Sequence, residues 1–387
     1  MSKVAMSACA DYQPQNVQSA VSDLLNQLGG LQNFVQPNQK VFIKVNLVRE
    51  MSPDKHGTTH PEAVIALVNE LAKITPNIVV GDSCGGMYTK GVMNVVYSKC
   101  KMTDVANRTI ATLNDDFDFQ TVQLNGKSLQ KCEIINAFLS ADVVINFTKL
   151  KTHSFAGYTG AVKNLYGLIP GLLKVELHSR FPDLGDFCNL LCDIEQYASN
   201  KIVLHMIDGV IGMEGAGPTN GKPKFIGQML ASANPYELDV VAVSLFAKPF
   251  ETPLLQVALE RGLVSDDPSS IDFDFTTLKD KFISDFDMPE VTSADTFLRM
   301  PSWVKKLAKR YLTKKVKIDK NKCRGCGKCV THCPAQALKV VDKKAKLKQP
   351  KCIRCYCCQE LCPFDAVQLK KTLMYRIIHS FSHTKKK

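Results

Sequence analysis

Two runs of cysteine near the C-terminal end constrain this chain more than any other feature. The first is Cys323-x2-Cys326-x2-Cys329-x3-Cys333 followed by Pro334, and the second is Cys352-x2-Cys355-x2-Cys358-x3-Cys362 followed by Pro363. Three thiolates at two-residue intervals, closed by a fourth before proline, wrap one loop around a polynuclear centre that needs four soft ligands. Zinc is the competing reading, because Cys-x2-Cys pairs also bind it. The triple interval and the Cys-Pro closure fit a cubane far better than a zinc tetrahedron. The spacing predicts two [4Fe–4S] clusters.

The two runs are copies of each other. Cys333-Pro334-Ala335-Gln336-Ala337-Leu338 aligns with Cys362-Pro363-Phe364-Asp365-Ala366-Val367, and each leads into a short strand-like run. Such a duplication makes a pseudo-symmetric dicluster domain in which the fourth cysteine of each run serves the other cluster. One cluster is therefore assigned to Cys323, Cys326, Cys329 and Cys362, and the other to Cys352, Cys355, Cys358 and Cys333. Cys357 is surplus to both sets and reads as a bystander thiol.

Charge sets the domain boundary. From Pro301 onward 24 Lys and Arg stand against 4 Asp and Glu, which leaves 25 against 33 in the rest of the 387 residues. A mildly acidic body carries a strongly basic end. We expect an α/β body over 1–295, a basic linker helix over 296–315, the dicluster domain over 316–370 and a basic tail over 371–387. Ser302–Leu312 places apolar residues at helical spacing among lysines, and Tyr375–Phe381 repeats the spacing ahead of Lys385-Lys386-Lys387, as docking helices do in preference to membrane-binding ones. The basic surface suits an acidic redox partner such as a flavodoxin or ferredoxin. Nucleic acid is the rival for such charge, but the aromatic side chains that would stack on bases are not interleaved with it.

No stretch approaches the ~20 apolar residues needed to span a bilayer. The first ten residues lack the apolar run of a secretory leader. Cys9, Cys84, Cys100, Cys132, Cys188, Cys192 and Cys357 lie outside the frame, scattered as free thiols in a reducing compartment are. The expected location is the cytoplasm, with no transmembrane segment.

Upstream, helical and strand patterns alternate. Helices are expected over Asn16–Leu28, from Pro61 onward, over Phe187–Ala198 and over Tyr236–Ala247. Strands are expected over Lys40–Leu47, Asn77–Gly81, Ala141–Phe147 and Ile202–Ile207, with a loop-rich edge at Asp266–Ala294. Continuous apolar strands separated by helices require a parallel sheet covered on both faces. The expected fold is an α/β layered domain with a mainly parallel sheet, followed by a small α+β ferredoxin-like dicluster domain.

Polar residues gather where the expected strands end, which in an open parallel sheet is where ligands bind. Any one of them has a plain structural explanation: Thr59 suits a helix cap and Asp82-Ser83-Cys84-Gly85 a turn. Five strand ends carrying Lys, His, Asn, Asp and Gly together point instead to an anionic ligand, held by lysine charge and close backbone approach. The candidate binding set is Lys44, Asn46, Asp82, Asn146, Lys149, Lys151, Asn164, Glu214, Gly215 and Gly217. The candidate catalytic set is His60, His153, Lys163 and Asp208, with histidine as the proton donor. Asp82, Asp208 and Glu214 are alternatives for metal or general acid–base work. The segment Gly212–Gly217 follows neither the Walker pattern nor the dinucleotide fingerprint.

These same residues resemble the DUF362 family. The resemblance rests on Lys44-x-Asn46, Thr59-His60-Pro61, Gly81-Asp82-Ser83, Lys149-x-Lys151-Thr152-His153, Lys163-Asn164 and Asp208-Gly-x-x-Gly-Met-Glu-Gly-x-Gly-Pro218, and it covers about Val41–Phe250. It implies an α/β domain often joined to clustered cysteines, and it supplies no catalytic assignment. The functional reading is an iron–sulfur oxidoreductase whose dicluster module delivers single electrons to an anionic small-molecule substrate or cofactor at the strand ends. The alternative is a non-enzymatic electron-transfer or maturation partner.

Overall fold

The structure is a computed structural model and describes residues 2–289 and 313–372. The expected helices at Ser302–Leu312 and Tyr375–Phe381 lie outside the described residues. The chain divides into two compact units, one formed by 1–174 and 188–289, the other by 175–187 and 290–387.

The first unit is built on one sheet. Its strands are β1 (Val4–Ala8), β2 (Val41–Lys44), β3 (Ile78–Gly81), β4 (Thr112–Leu113), β7 (Val143–His153), β8 (Gly157–Thr159), β9 (Ile202–Glu214) and β10 (Lys222–Ser232), while β5 (Phe119–Gln123) and β6 (Lys131–Ile135) form a separate hairpin. The order is β1-β10-β9-β7-β2-β3-β4, with β8 paired to β7. From β9 to β4 every pairing is parallel; β10 and β1 continue the sheet antiparallel. The sheet is therefore mainly parallel. β2 and β7 are buried along their whole length, as central strands covered on both faces must be.

The helices begin where proline allows. Pro14–Gln27, Pro61–Leu71 and Pro235–Ser244 each carry proline in the first turn, where its missing N–H costs nothing. Asn234 closes the last of these, its side-chain oxygen accepting from the Tyr236 and Glu237 N–H groups. Val64, Leu67, Val68 and Leu71 of Pro61–Leu71 are fully buried, and each such side chain contributes about 1.5–3 kcal/mol of transfer energy.

Two strands run further than their apolar patterns suggest. The expected Ala141–Phe147 strand continues to His153, and the expected Ile202–Ile207 strand continues to Glu214. The antiparallel partners account for this. Lys151–His153 pair with β8, and Gly209–Glu214 pair with β10. Asp208 and Glu214 thus lie inside β9, with Asp208 opposite Lys149 in the parallel register.

The second unit contains two antiparallel pairs: β11 (Lys315–Ile318) with β14 (Val367–Lys370), and β12 (Leu338–Val341) with β13 (Lys344–Leu347). The duplication seen in the sequence reaches the backbone. Gly325 and Arg354, Gly327 and Tyr356, and Gln336 and Asp365 are equivalent positions, and all six have positive φ.

Candidate functional site

Six of the strand-end candidates join in one buried network. Lys44 pairs with Asp82 at 2.7 Å and also donates to the Val45 carbonyl and to Asn164 Oδ1. Asp82 takes the Leu47 and Ser83 N–H groups on its two oxygens, at 2.7 and 2.8 Å. Asn164 Oδ1 accepts from Asn46 Nδ2 at 2.7 Å, and Asn164 Nδ2 donates to Asn146 Oδ1 at 2.8 Å. Lys151 donates to Asn46 Oδ1 and to the Gly57 carbonyl. Ends of β2, β3 and β7 are brought together because parallel strands in register finish at one edge. Burial lowers the pKa of the Lys44 ammonium, and the Asp82 carboxylate opposes that shift.

A second group forms around Asp208. Its carboxylate accepts from Lys149 at 2.9 Å, from the Tyr12 hydroxyl at 2.7 Å and from the His60 N–H at 3.0 Å. Lys149 also donates to the Tyr12 oxygen. Burial by itself pulls both members of the Lys149–Asp208 pair toward their neutral forms. For Asp208 the ammonium, the Tyr12 hydroxyl and the His60 N–H outweigh burial and hold its pKa below the usual carboxylate range. The hydrogen-bonding capacity of the pair is well filled, as that of a buried ion pair must be to persist. Tyr12 stacks on His60. His60 Nδ1 accepts the Glu62 N–H and so caps the helix Pro61–Leu71. That bond leaves the ring proton of the neutral imidazole on Nε2. Burial drives the His60 pKa down to about 4, with Asp208 partly opposing and Lys149 assisting.

The remaining candidates separate. His153 ends β7, and its Nδ1 accepts from the Phe155 and Ala156 N–H groups of the turn that follows, both at 3.2 Å. Lys163 is buried on the short helix Ala161–Asn164, with its ammonium 5.4 Å from the Tyr166 ring centre. Glu214 accepts the Asp287 N–H, Gly215 donates to the Asp287 carbonyl, and the Gly217 carbonyl accepts from the Ser154 N–H and hydroxyl. These bonds tie the glycine segment to the rim of the sheet. Asp82, Asp208 and Glu214 each serve different partners, and among the described residues no group of three His, Cys, Asp or Glu is placed to hold a single metal ion.

Several participants carry no motif. Tyr12 follows β1, a five-residue strand in a segment too short and mixed to give a period. Lys174 is buried and donates to the Ser83 carbonyl and hydroxyl and to the Cys84 and Ile169 carbonyls; burial lowers its pKa to about 7. His205 Nδ1 lies 2.9 Å from Asn146 Nδ2, and burial lowers the imidazole pKa to about 3. Asp239 accepts the Ala161 and Val162 N–H groups and the Tyr158 hydroxyl, holding the turn that carries Lys163 and Asn164.

In the second unit the thiols ring two cavities. Cys323, Cys326, Cys329 and Cys362 line one; Cys352, Cys355, Cys358 and Cys333 line the other, with Cys357 beside them. The last cysteine of each run crosses to the other cavity. Backbone N–H groups face the sulfurs: Ala345 to Cys323 at 3.3 Å, Ala366 to Cys362 at 3.3 Å, and Ala337 to Cys333 at 3.2 Å. Such donors stabilise thiolate charge. Two four-thiol rings with inward N–H groups fit iron–sulfur clusters.

Fold and cavities together define an α/β protein joined to a dicluster iron–sulfur module. The chain belongs to the family described as a domain of unknown function (DUF362), matched over residues 41–244. A 4Fe-4S dicluster domain is matched over residues 315–363. A thylakoid-associated protein of Synechocystis sp. is 26% identical over 296 residues, covering 74% of this chain and 88% of that protein. Among solved structures, the lactate racemase apoprotein of Thermoanaerobacterium thermosaccharolyticum aligns with a TM-score of 0.40 at 13% identity, covering 59% of this chain and 54% of that one. A Thermotoga maritima protein aligns with a TM-score of 0.36 at 9% identity, covering 58% and 56%. The chain thus spans little more than half the length of either solved structure. No helix among the described residues is long and apolar enough to cross a membrane.

Proposed function

We propose that this chain is an iron–sulfur oxidoreductase of the cytoplasm, with two [4Fe–4S] clusters serving an anionic substrate or cofactor at the strand ends of the α/β domain. The domain limits that go with this reading are 1–295, 296–315, 316–370 and 371–387. The observation that carries it is the crossed lining of the two cavities, where Cys362 completes the first set and Cys333 the second. When bound, the clusters supply one-electron redox chemistry. The partner that supplies or takes those electrons is an acidic carrier, matched to the basic module.

The residues of the α/β domain do the remaining work. The Lys149–Asp208 and Lys44–Asp82 pairs fix the strand ends before any ligand arrives, which is the preorganisation that electrostatic binding needs. Lys151 and Lys163, both buried, supply cationic charge toward an anion at the strand ends. His60, neutral and protonated on Nε2, and His153 hold protons for a substrate that gains electrons.

The test is anaerobic purification with iron analysis, electron paramagnetic resonance and mass spectrometry of any molecule retained by the α/β domain. Lys163→Ala and His153→Ala are expected to abolish turnover while leaving both cluster signals intact. Full activity in both variants would reject the site. One observation favours the non-enzymatic alternative: Lys44 and Lys149 are already neutralised by aspartates inside the fold. Reducible clusters with no retained molecule and no turnover would establish that alternative.

A further inference from the structure

The two cysteine loops share one backbone path, yet their mouths differ. Aligning Cys323 with Cys352 pairs Arg324 with Ile353, Cys326 with Cys355, Lys328 with Cys357 and, through the crossed cysteine, Phe364 with Ala335. At the first cavity Arg324, Cys326, Lys328 and Phe364 are all exposed. At the second, Ile353, Cys355 and Ala335 are half-buried and Cys357 is buried.

The second mouth is also sealed from the side. Arg354 occupies the position of Gly325 and donates to the Thr313 carbonyl and hydroxyl. Tyr356 occupies the position of Gly327, is buried, and donates to the Lys314 carbonyl at 3.0 Å. The first loop has glycine at both places. At Gly325 there is no room for more, since a Cβ would come within 2.4 Å of the Lys343 carbonyl oxygen.

An exposed aromatic side chain flanked by cations is the anatomy of a transient protein interface: an apolar centre desolvates on contact while the charged rim steers the approach. Electron exchange between proteins demands close approach of the two redox centres, and only the first site presents a cysteine at the surface. We propose that Arg324, Lys328 and Phe364 form the docking surface for an acidic electron-carrier protein, with the first cysteine site as the port and the second as the inner site. This rests on the iron–sulfur reading above. The exchange moves one electron, lost by one protein and gained by the other, and no atom or proton is transferred at the contact.

The experiment measures binding of a purified acidic flavodoxin to the anaerobically loaded full chain at low salt. Arg324→Glu combined with Lys328→Glu is expected to weaken the Kd by about tenfold or more, and Phe364→Ala by a smaller factor. The same charge change on the other copy, Lys348→Glu with Lys351→Glu, is expected to shift it by less than about twofold, and added salt erases the difference. Visible absorption and paramagnetic signals confirm that each variant keeps its clusters. Equal losses in the two double variants, or no flavodoxin binding by the unmodified chain, overturn the proposal. So does tighter binding of duplex DNA that is lost in the same Arg324/Lys328 variant. Failure of the unmodified chain to take up iron would strike the iron–sulfur reading instead, and it is scored separately before any binding is measured.

Discussion

Tyr12 lies flat against His60, with ring centroids 3.7 Å apart and planes within 11°. The contact joins the segment after the first strand to the cap of the helix Pro61–Leu71, and it excludes water from one face of the imidazole. Burial is the largest cause of the low His60 pKa of about 4. Tyr12→Ala should therefore let His60 titrate nearer the ordinary value of 6.5. Imidazole NMR of the labelled protein follows this directly. An unchanged titration would assign the burial to other walls of the site.

Asp208→Asn is a sharper perturbation. It removes the charge facing Lys149 and leaves an ammonium buried in the sheet, which typically costs about 3–5 kcal/mol. Tyr12→Phe removes the hydrogen bond to Asp208 and those that the Tyr12 oxygen accepts from Lys149 and the Ile211 N–H, but it leaves the Lys149–Asp208 pair in place and should cost less, about 1.5–3 kcal/mol. Denaturant unfolding followed by far-ultraviolet circular dichroism ranks the two. A reversed order would mean that the charge on Lys149 finds compensation elsewhere.

Asp239 makes the α/β domain pH-sensitive in a defined direction. Burial raises its pKa from 3.8 to about 7, with the Ala161 and Val162 N–H groups and the Tyr158 hydroxyl opposing. Between those values the folded chain binds a proton that the unfolded chain has lost. The contribution of this group is thus full below pH 4 and declines as pH rises toward 7. The loss amounts to about 4 kcal/mol across that window as an upper limit. Asp239→Asn should flatten this slope, visible as the difference between the two unfolding free energies at pH 5 and pH 8.

The first cysteine loop depends on Gly325. Its positive φ of 68° and the Lys343 carbonyl oxygen against its α-carbon leave no place for a side chain. Gly325→Ala should open that loop and lower the iron content from about eight to about four per chain, if each site takes one four-iron cluster. Iron analysis of the anaerobically purified variant reads this out. Retention of all the iron would show that the loop yields without releasing its ligands.

The cysteine frame and the parallel centre of the sheet were legible because each imposes a local pattern: fixed thiol intervals in one case, unbroken apolar runs in the other. The strand-end residues Lys44, Asn46, Asp82, Asn146, Lys151 and Asn164 were legible as a set because parallel strands bring their ends to one edge. Their bonds to one another were not, since they join separate elements, some of them more than a hundred residues apart, as in Lys44 to Asn164. The ends of β7 and β9 were missed for the same reason. Their continuation depends on β8 and β10, and β10 opens with the polar Lys222-Pro223-Lys224. Tyr12 and Asp239 leave no local signal at all; only their tertiary partners show what they hold.

Arg354 and Tyr356 reach back to Thr313 and Lys314, two residues ahead of the segment matched as a dicluster domain. An excised module cut to that match would begin at 315 and lose both anchors. The second loop, which has no glycine at these left-handed positions, would then keep its strained backbone and lose the bonds that offset it. A fragment meant to keep both cysteine sites intact has to start at or before Thr313, and a shorter one should hold iron better at the first site than at the second.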